Sequence, residues 1–355
     1  MTPEAPGALR WADDRIWEWH SMWTDPSAAT FFNHRLGRID SALGNTVFNQ
    51  HINGIGAETL VAKRTFTDLV DYLGYPIPSA IVYTISPQEA TALTDMLGPD
   101  LAAHGVLAKP LDSSYGKGVY VFYDPEKFRS FLNSLSRPYI FQPYISMDEF
   151  RYGWYIDNYG IRWRFGFPKL KSSVTGDGES ALFELILFAQ NIPLIVKMIN
   201  IYNHRHHLTE VPVKGKGMIL SPAANWQRGG YMKPLPRTGA LVDNLDLAVV
   251  ELSEELEKAF NENVGGLKMR YKKPAEIGLR FVCYDLGLLA LPRWQTKQLS
   301  TIPKEEVFPI EFQMPCEINY FFLSSPHNPY DILRAMKAFE AMIYNENNPA
   351  KNDKT

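Results

Sequence analysis

Apolar positions recur along this chain in two periods. Phe66, Leu69, Val70 and Leu73 fall at helical spacing and predict a helix over 62–73. Gly74 closes it, and Pro76 and Pro78 stop its continuation. Ser86 followed by Glu89 is a capping-box pair, which predicts a helix over 86–97. Asp124 caps a helix over 125–135, and Leu247, Val250, Leu252, Leu256 and Phe260 mark an amphipathic helix over 246–260. Ser180 opens a long helix; Asp25 and Pro26 open another over 26–43, and a last one spans 330–344. Short apolar runs predict strands at 80–83, 106–109, 119–122, 139–142, 277–284 and 309–319. Residues 150–157 and 161–167 predict a hairpin turning at Asn158-Tyr-Gly160. Strands and helices interleave, so the fold class is α+β or α/β, and no internal repeat is visible.

Composition narrows the picture. A chain of 355 residues, 45% hydrophobic and 21% charged, supports two or three sub-domains around large cores. A net charge of −3 argues against a dedicated nucleic-acid binder. No stretch reaches the apolar length of a membrane span, because Glu184, Gln190, Asn191, Pro193 and Lys197 interrupt the nearest one, 183–201. The first residues show no signal-peptide pattern, and the tail over 345–355 is polar. Cys283 and Cys316 sit in apolar contexts and read as buried thiols of a reducing, cytoplasmic compartment. Without cysteine partners, His204-Arg-His-His207 fits a solvated or phosphate-facing surface better than a metal patch.

Three stretches carry chemistry. Lys109 lies at the end of an apolar strand, and Pro110 then removes a backbone donor. Ser113, Ser114, Gly116 and Gly118 follow, giving backbone amides that approach an anion without side-chain obstruction. This is not a P-loop, because Leu111 and Gly118 stand where that motif needs glycine and Ser/Thr. Taken alone, the pattern fits a glycine hairpin with a surface lysine equally well. Second, Gln142 ends a strand at Pro143, leaving an edge that can read an adenine ring, with Glu149 seven residues on for ribose hydroxyls. A solvated loop carboxylate is the plainer reading of Glu149. Third, Glu317 and Asn319 end an apolar strand with both oxygens on one face, joined by Glu311 if the strand is regular. Such hard oxygens suit magnesium.

Taken in order, Lys63 ahead of a helix, Gly74-Tyr-Pro-Ile-Pro78, Lys109 with its glycine loop, Gln142 to Glu149 and Glu317-Ile-Asn319 resemble the ATP-grasp superfamily of carboxylate–amine ligases. A narrower similarity, to cyanophycin synthetases, lies in Val174-Thr-Gly-Asp-Gly-Glu-Ser180, Glu184-Leu-Ile186, Val211-Pro-Val-Lys-Gly215, Leu220, Ala224-Asn225 and Gly229-Gly230. The resemblance covers residues 50 to 325 and implies an ATP-grasp fold, two α+β sub-domains clasping ATP. It divides the chain into a reduced N-terminal region (1–60), a small sub-domain with the lid loop (61–140), a large sub-domain with the magnesium site (141–330) and a terminal helix and tail (331–355).

The resemblance also implies roles. Lys63 and Lys109 contact the ATP phosphates and the adenine side; Ser114, Gly116 and Gly118 form a lid; Gln142 and Ile145 frame adenine, and Glu149 meets ribose. Lys169 stands where the family has an arginine facing the phosphoryl group. Asn225 and Arg228 lie near the transferred phosphate or the acceptor, and Glu317 and Asn319 hold Mg2+. The family's further aspartate ligand aligns with Arg280; Asp285 or Glu311 stands in for it, or one metal is lost, or Arg280 itself neutralises phosphate. The implied reaction joins an amino-acid or peptide carboxylate to an amine through an acyl phosphate, releasing ADP and phosphate. The alternative is a non-catalytic ATP-binding module acting through a partner. Homo-oligomerisation is left open.

Overall fold

The computed structural model describes residues 53–76, 80–82, 86–111, 118–145, 147–156, 162–192, 194–221, 229–232, 235, 238–264 and 276–313. The helices expected over 26–43 and 330–344 lie outside the described residues. In chain order come strand β1 (Gly54–Ile55), helix α1 (Lys63–Tyr72), β2 (Ala80–Val82), α2 (Pro87–Met96) and α3 (Gly98–Ala103). Then follow β3 (Val106–Pro110), β4 (Tyr120–Phe122), α4 (Pro125–Asn133), β5 (Tyr139–Pro143), β6 (Asp148–Ile156) and β7 (Arg162–Leu170). The remainder is β8 (Ser173–Thr175), α5 (Leu182–Phe188), α6 (Leu194–Asn203), β9 (Gly217–Ile219), β10 (Tyr231–Met232), α7 (Ala240–Asn261), β11 (Glu276–Ile277), β12 (Phe281–Leu288), α8 (Leu291–Thr296) and β13 (Val307–Phe312). The mixture is the α+β class read from the sequence.

Local chemistry explains the helix starts. At α2, the Glu89 amide donates to Ser86 Oγ at 3.3 Å while the Ser86 amide donates to Glu89 Oε2 at 2.8 Å, so two orphan donors are satisfied reciprocally. At α4, Asp124 Oδ1 accepts from the amides of Glu126 at 2.8 Å and Lys127 at 3.2 Å.

Three elements depart from expectation. The long helix after Ser180 is two, α5 and α6, with 189–192 outside either helix; the sequence then has Pro193, which brings no amide to continue a ladder. The strand expected over 277–284 is also two pieces. Asn53 intercepts the backbone between them: its Oδ1 accepts from the amides of Arg280 and Phe281, each at 2.8 Å, and its carbonyl accepts from Gly278 at 2.9 Å. Helix α7 begins at Ala240 rather than 246, and Asp246, inside it, pairs with Arg162 at 3.0 Å instead of capping.

The chain divides into two compact units: residues 1–76, 150–168 and 233–355 form the first, and 77–149 with 169–232 the second. Strands β6 and β7 therefore each contribute residues to both. In the first unit the strand order is β7-β6-β12-β13, and all eight residues of β12 are buried, as expected of a central strand. Helix α7 buries Val242, Leu245, Val249, Leu252, Leu256 and Phe260 along one stripe. Tyr284 is the hub: its ring lies 6.1 Å from Phe66 and 5.1 Å from Phe312, and its hydroxyl is 3.0 Å from Ser253 Oγ. Burial raises the Tyr284 phenol well above its ordinary value.

In the second unit the order is β2-β5-β3-β4, antiparallel throughout. Val106, Ala108, Tyr139 and Phe141 point from one face into a core with Leu93, Leu101, Phe128 and Leu132 of the covering helices. Each such Leu or Phe contributes about 1.5–3 kcal/mol through burial. A β8–β9 ribbon and β10, which pairs with Lys169 and Leu170 of β7, complete the unit.

Candidate functional site

Strand register decides which predicted residues share a surface in the second unit. Leu107 lies opposite Gln142, Ala108 opposite Phe141, and Lys109 opposite Ile140. Because side chains alternate, Lys109, Gln142, Leu107 and Ile140 occupy the sheet face opposite the helix-covered core. Gln142 is 8% exposed, so its amide stands in a desolvated position. The strand then leaves the sheet through Pro143, and the Tyr144 amide donates to the Gly105 carbonyl at 2.8 Å, which fixes the segment carrying Ile145.

Further along, Glu149 of β6 meets two lysines. Its Oε2 is 3.6 Å from Lys169 Nζ and its Oε1 is 3.8 Å from Lys171 Nζ. These side chains are only 14% (Lys169), 28% (Lys171) and 20% (Glu149) exposed. Lys171 Nζ also donates to Tyr144 Oη at 3.0 Å and lies 5.3 Å from the centre of that ring. The residues expected at ribose and at the phosphoryl group thus touch each other, and Tyr144 ties them to the Gln142–Ile145 segment.

Gly118 begins the described chain after the glycine loop. Its φ is +72°, which favours glycine, and a Cβ there would lie 2.5 Å from Arg137 Nη2, so an arginine stands beside this position. Ser114 and Gly116 lie outside the described residues, as do Asn225 and Arg228. The two ends of the 222–228 segment are held by one residue: the Ser172 carbonyl accepts from the Leu220 amide at 2.8 Å, and the Ser172 hydroxyl donates to the Gly229 carbonyl. Asn200 Nδ2 donates to the same carbonyl at 3.1 Å. Within the histidine run, His204 Nε2 bonds the Leu220 carbonyl at 2.8 Å, and His207 Nδ1 bonds Glu210 at 2.6 Å.

In the first unit, Asp285 of β12 and Glu311 of β13 are direct cross-strand partners. Asp285 is 2% exposed and is gripped by Arg151 of β6, with Nε donating to Oδ1 at 2.7 Å and Nη2 to Oδ2 at 3.1 Å. Gln313 Nε2 approaches the same carboxylate at 3.5 Å. Lys63, at the first turn of α1, places Nζ 4.0 Å from Glu311 Oε1. Two carboxylates and two cations therefore line up across β6, β12, β13 and α1. Arg280, just before β12, donates from Nη2 to the Ile156 carbonyl at 3.3 Å. Glu317 and Asn319 lie outside the described residues, as does Cys316; Cys283 is a buried free thiol.

Arg151, Lys171 and Arg137 escaped the sequence reading. A signal existed for the first two: each lies two residues beyond a candidate, Glu149 or Lys169, and so on the same side of an extended strand. Among the described residues, no three acidic, histidine or cysteine side chains gather as a metal cluster, and no helix is long and apolar enough to cross a membrane.

No known protein family and no curated protein matches the sequence. Solved structures do. D-cycloserine synthetase DcsG matches at 15% identity and TM-score 0.42, with 95% of this chain and 86% of that chain covered. The ATP-grasp ligase PsnB, complexed with minimal precursor, matches at 10% identity and TM-score 0.37, covering 82% and 63%. A bifunctional glutathione synthetase from Pasteurella multocida matches at 13% identity and TM-score 0.39; 79% of this chain is covered, but it spans only 36% of that protein's length. The narrower resemblance to cyanophycin synthetases rests on the sequence motifs alone.

Proposed function

We propose that this protein is an ATP-dependent carboxylate–amine ligase of the ATP-grasp type, which forms an amide or peptide bond through an acyl phosphate. The observation that carries this reading is the second unit's arrangement. Lys109 and Gln142 share one sheet face, and the segment leaving Gln142 leads directly to the Glu149, Lys169 and Lys171 cluster. A desolvated amide at a strand end suits a heteroaromatic base, and cations nearby suit its phosphates.

Phosphoryl transfer needs alignment and charge neutralisation more than covalent chemistry by the protein. In the second unit Lys109 and Lys169 hold and neutralise phosphate; the resemblance gives Lys63 the same role, sets Asn225 and Arg228 near the transferred phosphate or the acceptor, and assigns the 113–118 segment the exclusion of water from the acyl phosphate. The substrate carboxylate attacks the γ-phosphorus, ADP leaves, and the amine then displaces phosphate from the acyl carbon. Asp285, Glu317 and Asn319 are a hard-oxygen set that suits Mg2+, although Asp285 must share its oxygens with Arg151. Held there, Mg2+ would supply charge neutralisation to the phosphate. The carboxylate and amine are small molecules or peptides, and a cytoplasmic setting suits the free thiol of Cys283.

The test is ADP formation by purified protein given ATP, Mg2+ and pools of amino acids and peptides, with hydroxylamine to trap the acyl phosphate. Turnover that Lys109→Ala abolishes is expected; no ADP from any pool refutes the ligase. A second reading, an ATP-binding module acting through a partner, is favoured by the Arg151 grip on Asp285. It predicts tight ATP binding without turnover, insensitive to change at Asn319.

A further inference from the structure

Lys171 has no role in the resemblance that assigned Lys169, yet its surroundings are those of a ligand-binding cation. Its position follows from strand geometry. Lys169 and Lys171 are two residues apart where β7 ends, and both turn toward Glu149 on β6. The side chain as a whole is nearly three-quarters withdrawn from water. Its partners are a neutral phenol, Tyr144 Oη at 3.0 Å, and one carboxylate oxygen at 3.8 Å. That last distance lies beyond a hydrogen bond, and Lys169 shares the same carboxylate.

An ammonium carries three donors, and desolvating it without full compensation is costly. Here one donor is committed to a phenol that brings no charge, and the carboxylate is divided between two lysines. An oxyanion entering beside Glu149 would give the ammonium a charged acceptor in a partly desolvated place, where charge-assisted bonds are stronger than neutral ones. Tyr144 sits two residues after Gln142 and one before Ile145, so the same side chain that aims Lys171 is anchored in the segment read as the nucleobase edge.

We propose that Lys171 is a second phosphate-binding cation beside Lys169, aimed by Tyr144 and poised by Glu149 as a counterion common to both lysines. The ligand class is the polyphosphate of an adenine nucleotide, so the assignment rests on the nucleotide reading above and deepens it.

The test compares two probes on the full chain in the presence of Mg2+: a non-hydrolysable ATP analogue and adenosine, each titrated calorimetrically. Adenosine keeps the base and ribose but has no phosphate. Lys171→Met should weaken the analogue about tenfold or more while leaving adenosine within about twofold, since charge-assisted bonds are at stake. Lys171→Arg should recover most of the loss. Retained adenosine binding shows that Lys171→Met is folded, and equal weakening of both probes, or of neither, overturns the assignment. Wild-type protein that binds neither probe removes the nucleotide reading itself, and this assignment with it.

Discussion

Arg151 closes a two-point clamp on Asp285, Nε to Oδ1 at 2.7 Å and Nη2 to Oδ2 at 3.1 Å, across neighbouring strands of one sheet. The carboxylate is 2% exposed, so its charge depends on that guanidinium. Removing one partner of a buried pair leaves the other uncompensated. Arg151→Met should therefore destabilise the protein by about 3–5 kcal/mol, read as a lower urea midpoint. The double variant Arg151→Met with Asp285→Leu should recover much of that loss, because no charge then remains buried; a single variant as stable as wild type would refute the clamp.

The Gly176–Gly178 loop makes a pH-dependent contribution. Asp177 Oδ1 accepts from the amides of Glu179 at 2.9 Å and Ser180 at 2.7 Å, and Oδ2 accepts from Ser180 Oγ at 2.6 Å. The Ser180 side chain above all, then the two amides, hold this carboxyl down at about 2. A carboxylate depressed in the folded state adds stability that is full above its unfolded value and fades as pH falls through the folded one. The window thus runs from about 4 down to about 2. Carbon-detected NMR titration should show that low midpoint, and Ser180→Ala should raise it; a midpoint near 4 in both proteins would contradict the loop geometry.

Gly229 tests the clamp at the base of the 222–228 segment. Its φ is +86°, and a Cβ there would stand 2.0 Å from Asn200 Oδ1. Asn200 is fully buried, so it has little room to yield. Gly229→Ala should cost about 1–3 kcal/mol by chemical denaturation, as overpacking of a core position does. Asn200→Ala combined with Gly229→Ala should cost less than the sum of the two single changes.

Metal dependence offers a fourth outcome. If the ligase reading is right, EDTA stops ADP formation and Mg2+ restores it. Glu317→Gln should then raise the Mg2+ concentration for half-maximal rate by an order of magnitude or more. An unchanged requirement would move the metal away from the Glu317-Ile-Asn319 strand.

How much of this was legible beforehand depends on the range of the interaction. Caps are local: Ser86 with Glu89, and Asp124 with the amides two and three residues on, need only a few residues of context, and both stand where the sequence put them. Strand ends are equally local, which is why Lys109, ahead of its Ser/Gly turn, and Gln142, ahead of Pro143, could be chosen before their shared face was known. Asn53 could not be foreseen, since it reaches across more than 220 residues to break the strand expected over 277–284. Nor could Asp246, which has the chemistry of a cap but lies inside α7, paired with Arg162 at 3.0 Å.

The sequence by itself determined the class of fold, the capped starts of α2 and α4 and the residue types able to hold phosphate, because propensity, capping and period act within a few residues. Only tertiary structure decided what those side chains touch: that Glu149 meets Lys169 and Lys171, that Asp285 answers to Arg151, and that Ser172 bonds both Leu220 and Gly229. Those choices depend on which strands become neighbours and in what register, and desolvation at the contact then fixes which charges must pair.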